Sequence, residues 1–458
     1  MTEKNTPIGK IVAASLIGTT IEWYDFFLYG SAAALVFNKL FFPESDPLTG
    51  TLLAFLTYAI GFVARPLGAV VFGHYGDRLG RKKLLVLSLL LMGGATFLIG
   101  CLPTHAAVGA AAPLLLTFLR LVQGFALGGE WGGAVLIVSE HGDARRRGYW
   151  ASWPQAGAPG GNLLATAVLA VLAAVQSDEA FLSWGWRIPF LLSGALVLLG
   201  LWIRLSISES PVFQAAAAHA GPKRSMPIVD VFRYHWRDVL TAIGARFAEN
   251  VSYYVITAFV LVYATEAAGL TKGFVLNAVL IGSAVHFASI PMWGALSDRL
   301  GRRPVYLLGA AGVGLWSFAF FPLVDTGNFA AITLAVTVGL VLHGAMYGPQ
   351  AAFFSELFAT RMRYSGVSVG AQLSSIVAGG LAPLIAVALL QAYDSALPVM
   401  LYVAGAAALT LLTVFVSRET RGRDLVTLSD APGTAGDAAT PSPGSPGSAG
   451  SPKPAARG

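Results

Sequence analysis

Charge is scarce in this sequence. Of 458 residues, 12% are Asp, Glu, Lys or Arg and 55% are hydrophobic, against the roughly 25% charged residues of an ordinary soluble domain. That balance excludes a water-soluble globule, and it excludes disorder along most of the chain. Cysteine is almost missing: Cys101 stands alone in an apolar run, which rules out a disulfide scaffold and reads as a buried, inert thiol. The 52 glycines follow no three-residue period, so the chain is not collagen-like. There is no P-loop, since Gly128-Gly129-Glu130 lacks the lysine and Ser/Thr that hold phosphates. No nucleophile and base pair and no metal-ligand spacing stands out, so neither an enzyme, a metal nor a cofactor is implied. A net charge of +6 suggests nucleic acid only if the basic residues share a face, and here they interrupt apolar runs. With mean hydropathy +0.66, the chain is an integral membrane protein.

What is present is a series of twelve apolar runs, each long enough for a spanning helix of ~20 residues: 11–40, 51–73, 84–103, 110–138, 150–175, 186–207, 238–265, 272–296, 304–323, 329–354, 366–392 and 396–417. They are continuous rather than alternating in polarity, which excludes a β-barrel. The fold is expected to be all-α. If the N-terminus is cytoplasmic, all but six of the 30 lysines and arginines fall on the inner side, so both termini are expected in the cytoplasm. The exceptions are Lys39, Arg187 and Lys272 outside, and Arg65, Arg120 and Arg246 within runs. Ser31-Ala32-Ala33-Ala34 imitates a signal-peptidase site, but Glu22 and Asp25 and the length of the first run argue for an uncleaved helix.

The chain repeats itself. Gly73-His74-Tyr75-Gly76-Asp77-Arg78-Leu79-Gly80-Arg81-Lys82 and Gly294-Ala295-Leu296-Ser297-Asp298-Arg299-Leu300-Gly301-Arg302-Arg303 both fit G-x-x-x-D-R-x-G-R-[KR], and both follow an apolar run. Glu140 precedes Arg145 as Glu356 precedes Arg361. The expected organisation is two six-helix halves, 1–208 and 238–420, with a polar cytoplasmic linker at 209–237. A disordered tail, 421–458, is rich in Pro, Gly, Ser and Ala from 431 on. Paired halves place a substrate near the midplane between them.

Ionisable residues inside spans are costly, about 2.5–3.5 kcal/mol each on insertion scales, and so mark cavities or partners. Seven fall there: Glu22, Asp25, Arg65, Arg120, Glu130, Arg246 and Glu249. Glu22 and Asp25 share a helix face, where like charges favour holding a proton on one of them; pairing of Glu22 with a neighbouring helix is the alternative. Arg246, Glu249, Asn250, Tyr253 and Tyr254 form one polar stripe, from which Arg246 is expected to hold a substrate carboxylate, unless it only pairs with Glu249. Arg65, followed by Pro66, is either a ligand or a helix-bend anchor. Glycines flank Glu130, suiting close helix packing. His286 and His343 lie alone in apolar stretches and are expected to make ordinary helix contacts.

The doubled loop motif resembles the signature of the major facilitator superfamily, over about residues 8–420. Glu22-Trp23-Tyr24-Asp25-Phe26, Ala64-Arg65-Pro66-Leu67-Gly68, Arg120-Leu121-Val122-Gln123-Gly124, Gly128-Gly129-Glu130-Trp131-Gly132-Gly133, Trp184-Gly185-Trp186-Arg187-Ile188-Pro189-Phe190, Glu209-Ser210-Pro211-Val212-Phe213, Glu356-Leu357-Phe358 and Arg363-Tyr364-Ser365-Gly366 are similar to its metabolite:proton symporters, carriers of shikimate, 2-oxoglutarate, citrate, and proline or betaine. The resemblance implies a multi-pass carrier of the plasma membrane, expected to act as a monomer, that imports a small organic anion with a proton by alternating access. It implies a proton site of Asp25 and Glu22 with Arg120, Asp25 and Arg120 pairing. The expected substrate ligands are Arg120, Arg246, Glu249, Asn250, Tyr253, Tyr24 and Arg65. The cytoplasmic gate is expected from Asp77, Arg78, Arg81, Glu140 and Arg147, repeated as Asp298, Arg299, Arg302, Glu356 and Arg361, though these arginines also serve as topology signals. The rivals are a zwitterion symporter and an antiporting exporter. Gly157-Ala158-Pro159-Gly160-Gly161 departs from the exporters' G-x(3)-G-P-x(2)-G-G, and the tail is too short for a sensor domain.

Overall fold

A computed structural model describes residues 7–45, 47–79, 81–205, 227–266, 268–358, 363–423 and 425. Most of the linker expected at 209–237 and nearly all of the tail from 421 lie outside these, although 227–234 form a short helix. Twelve long helices carry the fold among the described residues. They are α1 (Ile8–Ala32), α2 (Pro47–Leu79), α3 (Arg81–Cys101), α4 (Ala111–His141), α5 (Arg147–Val175) and α6 (Arg187–Leu205). Then come α7 (Trp236–Tyr254), α8 (Lys272–Leu300), α9 (Arg302–Asp325), α10 (Phe329–Leu357), α11 (Arg363–Ser374) and α12 (Leu397–Val416). π-helical turns at Ala33–Phe37, Val255–Phe259 and Ser375–Gly380 carry α1, α7 and α11 onward into further helix. Among the described residues, eleven helical stretches are long and apolar enough to cross a membrane.

The helices run alternately up and down, so the start of α1 shares one face of the bundle, here the N-terminal face, with the ends of α2, α4, α8 and α10. Pairing repeats itself: α2 lies on α4 as α8 lies on α10, and α3 on α6 as α9 on α12. Contacts between the first six helices and the last six run chiefly through α5 on α8 and α2 on α11, with α10 also reaching α5.

Helices extend past the apolar runs. Gly73–Leu79 and Gly294–Leu300 are the last turns of α2 and α8 rather than loop, because hydropathy marks where lipid ends and not where backbone hydrogen bonding does. The chain turns at Gly301, whose φ of 106° suits glycine alone. Cys101, expected to be buried, is exposed at the last residue of α3, where an apolar run faces lipid as readily as core.

Small residues set the close approaches. A Cβ on Gly124 would stand 2.0 Å from the Gly61 carbonyl oxygen, and one on Gly128 would stand 2.0 Å from that of Arg65. The α2 and α4 backbones therefore touch, and this seam is what brings Arg65 and Arg120 together. Replacing Gly128 with Leu should cost about 1–3 kcal/mol or more by overpacking and lower the melting temperature of the detergent-purified protein. Gly405→Ala, where a Cβ meets nothing within 4 Å, should leave it unchanged.

Candidate functional site

Two polar layers run through the apolar bundle. The first lies at the N-terminal face, where α5, α8, α9 and α10 converge. Arg147 of α5 donates to Glu356 of α10 at 2.8 Å, and Arg302 of α9 grips the same carboxylate with Nε and Nη2, both at 3.2 Å. Arg302 also donates to Asp298 at 2.7 Å. The Asp298 carboxylate in turn accepts from the Gly148 and Tyr149 amides at the start of α5, each at 2.8 Å, an anion seated on a helix N-terminus. Gly148 makes this approach possible, since a Cβ there would lie 2.5 Å from the Gly294 carbonyl oxygen. Arg363 of α11 pairs with Glu140 of α4 at 2.9 Å. Glu356, Arg302, Glu140, Arg147 and Arg363 are buried, so these are charge pairs out of water, where losing one partner costs about 3–5 kcal/mol.

Of the residues expected in the two loop clusters, the structure brings Arg147, Asp298, Arg302 and Glu356 into one network. Glu140 forms a separate pair with Arg363, which the expected set omits, and Arg299 is exposed and contributes only its carbonyl, to Arg421 at 2.6 Å. Arg361 and the side chains of Asp77, Arg78 and Arg81 lie outside the described residues. The segment after α12 crosses the network. Thr420 donates to Glu356 at 2.8 Å, and the carbonyls of Arg423 and Leu425 accept from Arg147 and Arg363, each at 3.0 Å. Glu419 caps α9 through the Arg302 and Arg303 amides, at 2.9 and 3.0 Å. Burial alone raises the pKa of Glu419, but the backbone N–H groups of Arg421, Arg302, Arg303 and Thr420 outweigh it and hold the carboxyl below its usual range.

The second layer is at mid-depth, and it is built of arginine and aromatic rings. The Arg120 guanidinium lies 4.3–4.6 Å from the ring centroids of Tyr29, Phe26 and Tyr58. That of Arg65 lies 4.0 Å from Phe62 and 4.4 Å from Phe26, so one ring serves both cations. Both side chains are buried, and Nε and Nη2 of each have no hydrogen-bond partner. A desolvated cation over a ring gains about 2 kcal/mol, but a ring face does not satisfy N–H donors, and each buried charged donor left without an acceptor costs more than the 1–3 kcal/mol of a neutral one. Arg65 also meets the Tyr254 hydroxyl from α7.

Asp25 does not pair with Arg120. Its carboxylate accepts from Ser193 of α6 and meets the Thr96 hydroxyl of α3. Gln123 then bridges, donating to Thr96 at 2.7 Å and accepting from Arg120 at 3.0 Å. The expected ion pair is thus a chain with a hydroxyl and an amide between the charges. Glu22 sits apart from it, paired at 2.7 Å with Arg204 of α6, so the shared helix face does not bring the two acids to one site. Tyr24 faces away too, donating to the Pro189 carbonyl at 2.8 Å.

On α7, Arg246 and Glu249 lie 3.4 Å apart, and Gln350 approaches both, at 3.4 and 3.3 Å. The Arg246 guanidinium lies 5.2 Å from the Trp131 ring of α4. Asn250 donates to Glu249 at 3.2 Å, and the Tyr253 ring lies tilted against Phe27 of α1, with centroids 6.3 Å apart. His286 and His343, 57 residues apart in sequence, are hydrogen-bonded to each other at 2.9 Å. A pair formed between two helices leaves no local spacing to read, and neither does Arg204, which sits where it reads as a topology charge.

Residues 15–383 match the model of the Major Facilitator Superfamily. The chain belongs to that superfamily. It is 41% identical over 434 residues to the inner membrane metabolite transport protein YhjE of Escherichia coli (strain K12), covering 92% of this chain and 98% of that one. To the shikimate transporter of the same organism it is 42% identical over 383 residues, covering 83% and 87%. To the E. coli proline/betaine transporter it is 32% identical over 429 residues, covering 91% and 84%. The proton:xylose symporter XylE bound to 6-bromo-6-deoxy-D-glucose superposes with a TM-score of 0.75 at 15% identity, covering 92% of this chain and 98% of that one, which shows the shared fold. This membrane protein is therefore a transporter rather than an enzyme, and its curated relatives carry small metabolites.

The network at the N-terminal face makes a direct prediction. In a Cys101→Ser background, a thiol at Ser152, buried on α5 beside Gly294, should be poorly reactive to a polar maleimide. Adding Glu356→Gln, which strips Arg147 and Arg302 of their shared carboxylate, should raise its labelling rate at least ten-fold. An unchanged rate would mean that the charge pairs do not hold this face shut.

Proposed function

We propose that the protein is a proton-coupled importer of a small organic anion, working by alternating access in the plasma membrane with both termini in the cytoplasm. Its two halves, 1–208 and 238–420, rock about a midplane site. The observation that carries this reading is the pair Arg65 and Arg120, two buried cations on a shared aromatic wall with no carboxylate against either among the described residues. An anionic substrate supplies the missing acceptors in low dielectric, where charge-assisted bonds are roughly twice as strong as neutral ones. The polar stripe points instead to Arg246 as the carboxylate ligand, but Glu249 already faces Arg246, so Arg120 and Arg65 stand first, with Arg246 and Asn250 opposite.

Asp25 is the proton carrier in this reading. Protonation removes the charge that Ser193 and Thr96 stabilise, and Gln123 transmits the change to Arg120 through its amide. The N-terminal-face network is then the cytoplasmic gate: Glu356, Asp298, Arg147, Arg302 and the Glu140–Arg363 pair separate when the carrier opens inward.

A proline/betaine-like zwitterion is the rival substrate, favoured by the aromatic lining, since ring faces bind quaternary ammonium groups. Yet the faces of Phe26, Tyr29, Tyr58 and Phe62 are covered by guanidinium groups, and like charge repels a cationic headgroup. The anion reading is therefore preferred.

Proteoliposomes with an inward proton gradient, screened with radiolabelled shikimate, 2-oxoglutarate, citrate, short monocarboxylates and betaine, test it. An organic anion should accumulate. Arg120→Lys keeps the charge and loses the planar fork, so affinity for that anion should fall about ten-fold, or about 1–2 kcal/mol, while Asp25→Asn should abolish accumulation and leave part of the exchange. Accumulation of betaine alone, or wild-type affinity in Arg120→Lys, would overturn the reading.

A further inference from the structure

Beyond Asp25, the last six helices hold a second chain of titratable groups, and it lies at mid-depth. His286 is the middle residue of the 29-residue helix α8, and His343 is the middle residue of the 29-residue helix α10. That places each about 21 Å from either helix end at 1.5 Å per residue. Both imidazoles are fully buried. His286 Nε2 lies 2.9 Å from His343 Nδ1, and His343 Nε2 lies 3.5 Å from Glu249 Oε1. Neither the outer nitrogen, His286 Nδ1, nor His343 Nε2 has a hydrogen-bond partner among the described residues, so passing a proton to Glu249 requires the 3.5 Å gap to close. At its other oxygen Glu249 meets Arg246 at 3.4 Å, Asn250 at 3.2 Å and Gln350 at 3.3 Å.

We propose that His286, His343 and Glu249 form a proton relay whose loading releases Arg246 for the transported anion. This rests on the reading of the protein as a proton-coupled anion carrier. The resting group has Glu249 ionised, His343 with its proton on Nε2 towards the carboxylate, and His286 with its proton on Nε2 towards His343 Nδ1. One proton binds His286 Nδ1, the Nε2 proton of His286 passes to His343 Nδ1, and the Nε2 proton of His343 passes to Glu249 Oε1. Both imidazoles end neutral with their tautomers reversed, and Glu249 ends as the neutral acid. The group gains one proton and one unit of charge, no bond between heavy atoms changes, and release runs the same steps backwards.

The surroundings favour a relay over two inert helix contacts. Polar groups facing it are Arg246, Tyr253 and Tyr254 from α7, Tyr347 and Gln350 from α10, and Tyr306 from α9. The His343 ring has centroids of Tyr253 and Tyr347 at 5.2 and 5.3 Å, and Tyr306 donates to the Ala245 carbonyl while accepting from Gln350. Arg246 is the cation of this group, so the charge of Glu249 decides whether its guanidinium is engaged or free. Once Glu249 is neutral, Arg246 joins Arg65 and Arg120 as a cation awaiting an anion.

Infrared difference spectra of the full chain in liposomes, recorded from alkaline to acid pH, test the relay without any substrate. A protonated-carboxyl band that vanishes in Glu249→Gln should appear on acidification. Its midpoint should move at least ten-fold in proton concentration in His343→Gln and in His286→Gln, the second of which does not touch Glu249. In transport, with shikimate and 2-oxoglutarate as probes, both histidine variants should lose at least ten-fold in gradient-driven accumulation, while an unchanged melting temperature in detergent shows that they fold. An unmoved band together with wild-type accumulation overturns the relay and leaves the carrier function standing. If neither probe accumulates even in the wild type, the anion reading fails for these probes, and the band alone decides the relay.

Discussion

A buried guanidinium in a bilayer must find acceptors, and most of this structure is arranged around that demand. Arg147, Arg204, Arg302 and Arg363 meet it with carboxylates on other helices, at 2.7–3.2 Å. Arg65 and Arg120 do not. Apart from the Gln123 amide oxygen on Arg120 and the Tyr254 hydroxyl on Arg65, their partners are ring faces, which lower the cost of burying charge without satisfying the remaining N–H donors. The close seam of α2 on α4 holds them there, because Gly124 and Gly128 carry no side chain to push the helices apart.

The two polar layers divide the work. At the N-terminal face, oppositely charged groups on different helices are matched, and the match joins the first six helices to the last six through α5, α8 and α10. At mid-depth the charges are mismatched in favour of the positive, with Glu249 shared between Arg246 and His343. A matched layer is stable when shut and expensive to open. A mismatched one is stable only when an anion or a change of protonation completes it. In the proposed mechanism these costs offset each other: binding at mid-depth supplies free energy that separates the pairs at the face.

The architecture was readable because its signals are local. Apolar run length gave the helices, and the doubled G-x-x-x-D-R-x-G-R-[KR] gave the repeat. The same locality explains the misses. Glu22 and Asp25 share a face in sequence terms, but a buried acid turns to whichever helix offers a partner, and α6 offers Arg204 to one and Ser193 to the other. Asp25 and Arg120 were expected to touch, and Thr96 and Gln123 stand between them. His286 and His343 each look isolated, because their relation exists only where α8 crosses α10. Arg246 with Glu249 was legible, since an i, i+3 pair is local.

The central claim is that an anion and a proton enter together, and one measurement tests it most directly. Right-side-out vesicles holding the protein, lightly buffered and without an imposed gradient, receive the accumulated anion outside while external pH and radiolabel uptake are followed in the same sample. The account predicts that the medium turns alkaline as label enters, and that Asp25→Asn lowers the pH change per label entered while label still equilibrates. Label entry with no proton movement, or with the medium turning acid, would contradict it.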